Sequence, residues 1–549
     1  MKTIQKIFSK YSLVLFVFAL FLVTACSQKN HKTAELNTEV YEESVVEQVL
    51  MEEQASPAMQ DKMSRKEKGI SFEEEPEHNT EEYDLIQENI FQSPKKSALS
   101  TFSIDVDGAS YTNARRFLTQ GSKPPKDAVR IEEFINYFDY DYPQPKKDVP
   151  FEVITEVAAA PWNSAHKLVH IGLQGKKLNY EDLKPSNLVF LIDVSGSMED
   201  ENKLPLLRKS FKLLLDQLNE KDRIAIVVYA GAAGLVLPST PANQKEKIME
   251  ALNKLQAGGS TAGGEGIQLA YKTAVENLIK DGNNRIILAT DGDFNVGVSS
   301  SADLVRMIEE KRQTGVYLTI LGFGMGNYKD GRMEQISNAG NGNYYYIDQL
   351  SEAQKVFVKE MRATLFTIAK DVKIQVEFNP QKVQAYRLIG YENRKLKDED
   401  FNDDKKDAGE LGAGHTVTAL YEIIPVGVKS DFTKSIDDLK YQNPQNTSAA
   451  ASDELLTVKL RYKKPKEDKS LLLSEIVKDA NVNFEQSSEN FRFAAAVAEF
   501  GMLLRESDFK QNASYDHVVN IAQKAMGQDK DGYRAEFINL VRRSQSSEK

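Results

Sequence analysis

Five oxygen-bearing side chains in the middle of the sequence have the types and spacing of a metal centre. Asp193, Ser195 and Ser197 form an Asp-x-Ser-x-Ser pattern directly after a continuous apolar run. Thr261 follows a Gly-Gly-Ser turn, and Asp291 comes directly after a second apolar run. Carboxylates and hydroxyls are ligands for hard cations, and Mg²⁺ in particular prefers octahedral oxygen and retains waters. These five residues therefore predict a site for Mg²⁺, with Mn²⁺ or Ca²⁺ as the other candidates.

The elements around these residues predict an open α/β sheet that brings them together. Residues 188–192 are apolar throughout, as expected for a parallel strand covered by helices on both faces. Strands and helices then alternate, which indicates a mostly parallel, doubly wound, Rossmann-like sheet with right-handed crossovers. Ligands of such sheets bind beyond the carboxyl ends of the strands, where the strand order reverses. Asp193 and Asp291 both follow strands, and alternate residues of an extended segment allow Ser195 and Ser197 to converge with Asp193.

The segments on both sides of this region predict a different architecture. Apolar and polar residues alternate, as in antiparallel strands, at 151–157, 167–173, 372–378, 383–389, 415–424 and 455–462. We expect these strands to pair, so that the α/β domain is inserted into an antiparallel β-sandwich. Helical patterns predict flanking helices at 110–118, 127–138, 484–505 and 515–542. The predicted domains after the N-terminal region are residues 98–184, 185–370 and 371–549.

The order and spacing of the five residues resemble a known metal site. Asp193-x-Ser195-x-Ser197, followed by Thr261 and Asp291, is similar to the metal-ion-dependent adhesion site of von Willebrand factor type A domains. The resemblance implies that the serine and threonine hydroxyls approach the metal and that the aspartates act largely through water. It also implies that the metal keeps an open position for an acidic side chain of a partner protein.

The N-terminal region predicts export and a lipid anchor. Three lysines precede an apolar run, residues 11–25, which is too short for a comfortable membrane span and is typical of a secretory signal peptide. The run ends Leu-Val-Thr-Ala before Cys26, which resembles a bacterial lipobox with a cysteine that becomes acylated; the alternative is an uncleaved anchor with an incidental cysteine. Residues 26–97 are polar and acidic and predict a disordered tether. Similarity to the flanks of bacterial lipoproteins with a von Willebrand factor type A domain extends over Thr101–Asp107, Arg130–Phe138 and Gly532–Phe537.

Composition and the remaining motifs exclude several classes of protein. The formal net charge is −11, which argues against a general nucleic-acid binder because such a protein needs a basic face. The chain has one cysteine and so cannot form an intramolecular disulfide. Ser195 is not in a Gly-x-Ser-x-Gly nucleophile motif. Asp105 and Asp107 are interpreted as an incidental turn rather than a second cation site, and Gly322–Gly326 as a loop near the metal.

These observations favour a binding module over an enzyme. We expect a lipoprotein of the cell envelope, at the outer membrane or the periplasmic face rather than in the cytoplasm, whose metal accepts an acidic side chain of another envelope protein. One alternative is a metal-dependent hydrolase with Asp293 as the base. Another is a structural lipoprotein in which the metal only stabilises the fold. In the simplest alternative, the five residues are helix caps and turn residues without metal.

Overall fold

The described residues form three layers of strands and helices. The computed structural model describes residues 80–146, 148–178, 184–259, 263–292, 301–433 and 446–547. The strands are β1 (Leu99–Ser103), β2 (Phe151–Ala160), β3 (Asn163–Gly175), β4 (Ser186–Asp193), β5 (Arg223–Tyr229), β6 (Ala233–Pro241), β7 (Asn283–Thr290), β8 (Tyr317–Phe323), β9 (Tyr344–Ile347), β10 (Thr367–Phe378), β11 (Val383–Ile389), β12 (Gly409–Gly412), β13 (Thr416–Pro425), β14 (Glu454–Lys463) and β15 (Leu471–Lys478). The helices are α1 (Ala109–Thr119), α2 (Ile131–Asn136), α3 (Leu204–Leu215), α4 (Lys245–Asn253), α5 (Gly263–Glu276), α6 (Ser301–Arg312), α7 (Asp330–Ala339), α8 (Leu350–Gln354), α9 (Met361–Leu365), α10 (Glu489–Arg505), α11 (Tyr515–Lys524) and α12 (Tyr533–Ser546).

The middle of the chain forms a sheet with the strand order β6-β5-β4-β7-β8-β9. All neighbouring strands in it are parallel except β5 and β6, which are antiparallel. Helices α3, α4, α8 and α9 pack on one face, and α5, α6 and α7 pack on the other. Every residue of β4 is buried, as its continuous apolar sequence requires. The prediction of a doubly wound, mostly parallel sheet is confirmed.

Two antiparallel sheets form a sandwich from segments on both sides of this domain. One has the order β1-β10-β14-β15, with β12 also paired to β10, and the other has the order β11-β13-β3-β2. Their inner faces share one apolar core that includes Val169, Ile374, Tyr421 and Val458. Because the six-stranded sheet lies in the chain between β3 and β10, the α/β domain is an insertion into the sandwich, as predicted.

The flanking helices form the third layer. Helices α1, α2, α10, α11 and α12 contribute to one apolar core, which also contains Leu168 and Leu420 from the four-stranded sheet. Trp162, in the turn between β2 and β3, is fully buried in this core. No helix within the described residues has the length and apolar character needed to cross a membrane.

Several predicted helices are shorter than their patterns indicated. The pattern over 127–138 becomes a 3₁₀ turn (Lys126–Ala128) and the short helix α2, because Val129 between them is extended. The helical periodicity of residues 351–369 also predicts one helix, but the segment forms α8, a π-helical segment (Lys355–Glu360) and α9, because Thr367 and Ala369 pair with β12 and so belong to β10. The pattern over 515–542 is divided into α11 and α12. There the Asp529 carboxylate accepts the backbone N–H groups of Arg534 and Ala535, and Gly532 has a φ of +78°. Local polar contacts thus override the helical periodicity.

The last part of the predicted tether, residues 80–97, belongs to the folded body. Residues 80–97 lie against the folded body, where the Glu81 carboxylate accepts hydrogen bonds from Arg116 (2.9 Å) and from the backbone of Gly326 (2.8 Å). The backbones of Gln92 and Tyr386 also exchange two hydrogen bonds. Composition alone suggested disorder because these contacts depend on positions distant in sequence. The predicted signal peptide, Cys26 and residues 26–79 lie outside the described residues.

Candidate metal centre

The centre is built at the carboxyl end of β4, where the strand order reverses. The chain leaves β4 to form β5 on one side and later returns to form β7 on the other. Asp193 is the last residue of β4 and is fully buried, and Asp291 directly follows β7 and is also fully buried. The structure therefore places both aspartates at the edge of the sheet where the sequence predicted a ligand site.

The Asp193 carboxylate is held by three hydrogen-bond donors. Its Oδ1 accepts the backbone N–H of Ser195 (2.9 Å), and its Oδ2 accepts the hydroxyls of Tyr229 (3.0 Å) and Thr290 (3.3 Å). Burial raises the pKa of Asp193 to about 6; the hydrogen bonds from Ser195 oppose this rise, and the charge of Asp291 adds to it. Tyr229 on β5 and Thr290 on β7 thus fix the orientation of this carboxylate. The carboxylate in turn holds the backbone of the loop that carries Ser195.

The two serines lie in the turn that follows. The hydroxyls of Ser195 and Ser197 are 3.1 Å apart, and a 3₁₀ turn begins at Gly196. Ser195 is buried, whereas Ser197 is exposed to solvent. The hydroxyl of Ser197 therefore forms the outer side of the site.

Backbone contacts join this turn to the loop that carries the predicted threonine. Gly258 donates its N–H to the carbonyl of Val194 (2.8 Å), and Gly196 donates to the carbonyl of Gly259 (3.2 Å). Gly259 has a φ of +85°, a conformation that glycine adopts without strain. Thr261 itself lies outside the described residues, so its predicted role as a ligand stays a prediction.

A close backbone approach determines the chain's path after Asp291. Gly292 has a φ of +100°, and a Cβ atom there would lie 2.9 Å from both the Cα of Tyr328 and the backbone nitrogen of Lys329. Glycine is therefore required where the β7 loop passes the loop after β8. Asp293, the base in the hydrolase alternative, lies outside the described residues.

Lys203 is a member of the centre that the sequence analysis missed. Its ammonium donates to the carbonyl of Ser197 (2.8 Å) and lies 3.4 Å from the Asp291 carboxylate. The only signal in the sequence is a lysine six residues after Ser197 at the start of a helical pattern. A lysine in that position is ordinarily a solvated residue, so spacing alone did not identify it.

The donor set fits a hard divalent cation. Asp193, Ser195, Ser197 and Asp291 are brought to one edge of the sheet and offer only oxygen atoms. The ammonium of Lys203, held between Ser197 and Asp291, shows that positive charge is accommodated there. Carboxylate, hydroxyl and water oxygens are the ligands of Mg²⁺, Mn²⁺ and Ca²⁺ rather than of soft metals.

A second acidic group lies between the helical layer and the α/β domain. Carboxylate oxygens of Asp105, Glu133 and Glu334 lie within 4.8 Å of one another, and all three residues are buried. Arg394 pairs with Asp105 (3.0 Å), and Arg130 pairs with Glu133. Two guanidinium groups thus already compensate these charges, which indicates a structural ion-pair network.

The interpretation of Asp105 and Asp107 as an incidental turn was wrong. Both are buried, and Asp107 accepts the backbone N–H of Tyr344 (3.0 Å) while Arg394 lies 3.4 Å from its carboxylate. These two aspartates join the segment after β1 to the α/β domain. The sequence did not predict this role because their partners are distant in sequence.

Comparisons with known proteins match this architecture along most of the chain. The family model described as "von Willebrand factor type A domain" matches residues 187–359, and the one described as "von Willebrand factor" matches 77–170. A third, "Uncharacterized protein YfbK, C-terminal", matches 363–547. The Escherichia coli (strain K12) protein "Uncharacterized protein YfbK" is 46% identical over 471 residues, which are 84% of this chain and 80% of that protein. This chain belongs to the YfbK family.

The YfbK-family chain contains a von Willebrand factor type A domain, as its motif predicted. Human "Inter-alpha-trypsin inhibitor heavy chain H4" is 32% identical over 151 residues, which are 26% of this chain and 16% of that protein. The solved structure described as "von Willebrand factor type A from Catenulispora acidiphila" is 15% identical and covers 72% of this chain and 91% of that one, with a TM-score of 0.40. The lipid anchor and the envelope location stay predictions.

Proposed function

We propose that this YfbK-family protein is a binding module that holds Mg²⁺ at Asp193, Ser195, Ser197, Thr261 and Asp291. A bound Mg²⁺ would offer an open position to the carboxylate of an Asp or Glu on a partner protein. The observation that carries the proposal is the arrangement of the oxygens: the Asp193 carboxylate is already hydrogen-bonded on both oxygens, whereas Ser197, whose hydroxyl lies 3.1 Å from that of Ser195, is an exposed residue. With few formal negative charges available as direct ligands, the ion would remain electrophilic toward an added carboxylate.

The proposed setting is the cell envelope, with Cys26 lipidated and residues 27–79 as a tether. Several acyl chains on one cysteine give durable membrane attachment, whereas a single chain is marginal. The binding face at the carboxyl end of β4 would then be presented to other envelope proteins. We propose binding rather than catalysis because no described residue at the site is placed as a nucleophile with an adjacent base.

Replacing Asp193 by asparagine is expected to lower the affinity for Mg²⁺ by about 10–100-fold. The reason is that an amide cannot accept all three donors that now fix this side chain beneath the loop. Ser197→Ala should weaken binding at least tenfold, on the order of the loss of one ligand. Calorimetric titration of the full chain in detergent with MgCl₂ measures both effects.

Ser197→Ala is the more diagnostic variant because Ser197 is exposed and its loss does not threaten the core. Ser122→Ala, at another exposed serine, is the matched control and should bind Mg²⁺ like the parent chain. Equal affinity in the parent and in Ser197→Ala would mean that the heat comes from another site. Absence of binding in the parent would overturn the metal-dependent function.

The second step tests the partner. Envelope proteins captured on the immobilised chain in MgCl₂ should be released by EDTA and should be captured in smaller amounts by Ser197→Ala. For any protein identified in this way, replacing one surface Asp or Glu by its amide should abolish the Mg²⁺-dependent association. Capture that is indifferent to EDTA, or that survives every such replacement, would contradict recognition through the metal.

A further inference from the structure

We propose that Lys203 is an internal cation of this centre, whose ammonium competes with Mg²⁺ for the charge of Asp291. The inference rests on the proposed function and adds to it a mechanism that keeps metal affinity low in the absence of a partner. Three observations support it: the contacts of the ammonium, the enclosure of the side chain, and the charges around it.

The ammonium of Lys203 lies near three oxygen atoms, and two of them belong to residues of the site. Nζ lies 2.8 Å from the carbonyl oxygen of Ser197, 3.1 Å from Asp200 and 3.4 Å from Asp291. Asp291 is one of the residues proposed to hold the metal, and the Ser197 carbonyl belongs to another of them. The ammonium therefore already interacts with the Asp291 carboxylate, whose charge Mg²⁺ would also require.

The side chain is enclosed along its length. The side chain of Lys203 is only 6% exposed, although lysines are almost never buried unless they are paired. Gly324 has a φ of +73°, and a Cβ atom at that position would lie 2.8 Å from Cγ and 2.9 Å from Cδ of Lys203. The glycine thus leaves the space that the lysine stem occupies, and the loop after β8 holds the ammonium toward the site.

The electrostatic consequence follows from the sign of the charges. In the absence of metal, Lys203 compensates Asp291, which is fully buried beside Asp193. A divalent ion that approaches Asp291 meets this positive charge, and at such separations a unit charge changes an ion's affinity by at least roughly tenfold. A carboxylate from a partner would offset the repulsion, so metal and partner would bind with positive coupling.

The test is replacement of Lys203 by methionine, which keeps most of the stem and removes the charge. Titration of the full chain in detergent with MgCl₂ should show an affinity about tenfold or more above that of the parent. In EDTA the variant should melt at a lower temperature than the parent, because Asp291 loses its counter-charge, and the gain in melting temperature on adding MgCl₂ should be larger. Lys209→Met removes an exposed lysine of α3, the helix that begins directly after Lys203, and should match the parent in both measurements.

The outcomes separate this inference from the proposed function. Equal Mg²⁺ affinity in the parent and in Lys203→Met would overturn competition and leave the metal site in place. Weaker binding in the variant would also overturn it, since Lys203 would then support the ligands rather than oppose the ion. If neither chain binds Mg²⁺, both the inference and the proposed metal-dependent function fail.

Discussion

Replacing Arg115 by methionine is expected to lower the free energy of unfolding by about 3–5 kcal/mol. Arg115 lies on α1, and its side chain is 2% exposed. Its guanidinium donates to Asp348 (2.9 Å from Nε), Glu352 (2.8 Å) and Glu536 (3.1 Å). Methionine has similar length but no charge, so the buried carboxylate of Glu352 and the partly buried carboxylates of Asp348 and Glu536 would lose their common partner.

The loss should be visible in denaturant unfolding followed by fluorescence. Trp162 is the only tryptophan in the sequence and is buried in the helical layer that contains α1 and α12, so its emission reports the affected region. Arg306→Met removes an exposed arginine, whose pair with Asp303 is solvated, and should change the free energy of unfolding by less than about 1 kcal/mol. Similar midpoints for the two variants would show that the Arg115 contacts contribute little.

The candidate metal centre was predictable from the sequence to the extent that its residues lie at the ends of β-strands. The apolar run before Asp193 indicates a buried parallel strand, and parallel strands bring their carboxyl ends to one edge, so Asp193 and Asp291 could be placed together from sequence. Tyr229 and Thr290, which orient Asp193, carry no such signal because buried Tyr and Thr occur in many strands. Lys203 was missed for a related reason: its contacts depend on the loop after β8, more than a hundred residues later.

The larger fold shows the same division between local and distant information. Strong periodicity predicted the sandwich and the inserted domain. The edge strands β6 and β15 were missed because apolar residues on their exposed faces weaken the alternation of apolar and polar residues. These exposed apolar residues are Leu235, Val236, Leu472 and Ile476. The order of residues 80–97 depends on Arg116 and Tyr386, which no local pattern connects to them. The edge strands and the order of residues 80–97 therefore depend on tertiary contacts, which composition and periodicity do not reveal.

Replacing Glu132 by glutamine should flatten the dependence of stability on pH. Glu132 lies on α2 and is buried, and neither of its carboxylate oxygens accepts a hydrogen bond from the described residues. Burial raises its pKa to about 8; the charges of Glu392, Asp105 and Glu133 add to the rise, and Arg505 opposes it. In the unfolded chain the pKa of this carboxyl is near 4.5. Between pH 4.5 and about pH 8 the folded chain therefore binds one proton more than the unfolded chain.

The sign follows from this difference in protonation. The stability contributed by protonated Glu132 is complete below about pH 4.5 and is lost as the pH rises toward 8, because folding must then bury a charge or retain a proton. Glutamine stays neutral, so Glu132→Gln should be more stable than the parent at pH 8 by a few kcal/mol, on the order of 1.4 kcal/mol for each pKa unit, and close to it at pH 5. Burial also raises the pKa of Glu133, to about 7, so the variant should retain part of the slope.

Melting temperatures measured between pH 5 and pH 8.5 distinguish this buried charge from a general effect of removing a carboxylate. Glu310→Gln, on the exposed face of α6, removes the same charge from solvent and should give a curve parallel to that of the parent. Parallel curves for Glu132→Gln and the parent would mean that Glu132 is ionised in the folded state without cost. In that case the positive charge of Arg505, rather than a bound proton, would balance this carboxylate in the junction between α2 and the sandwich.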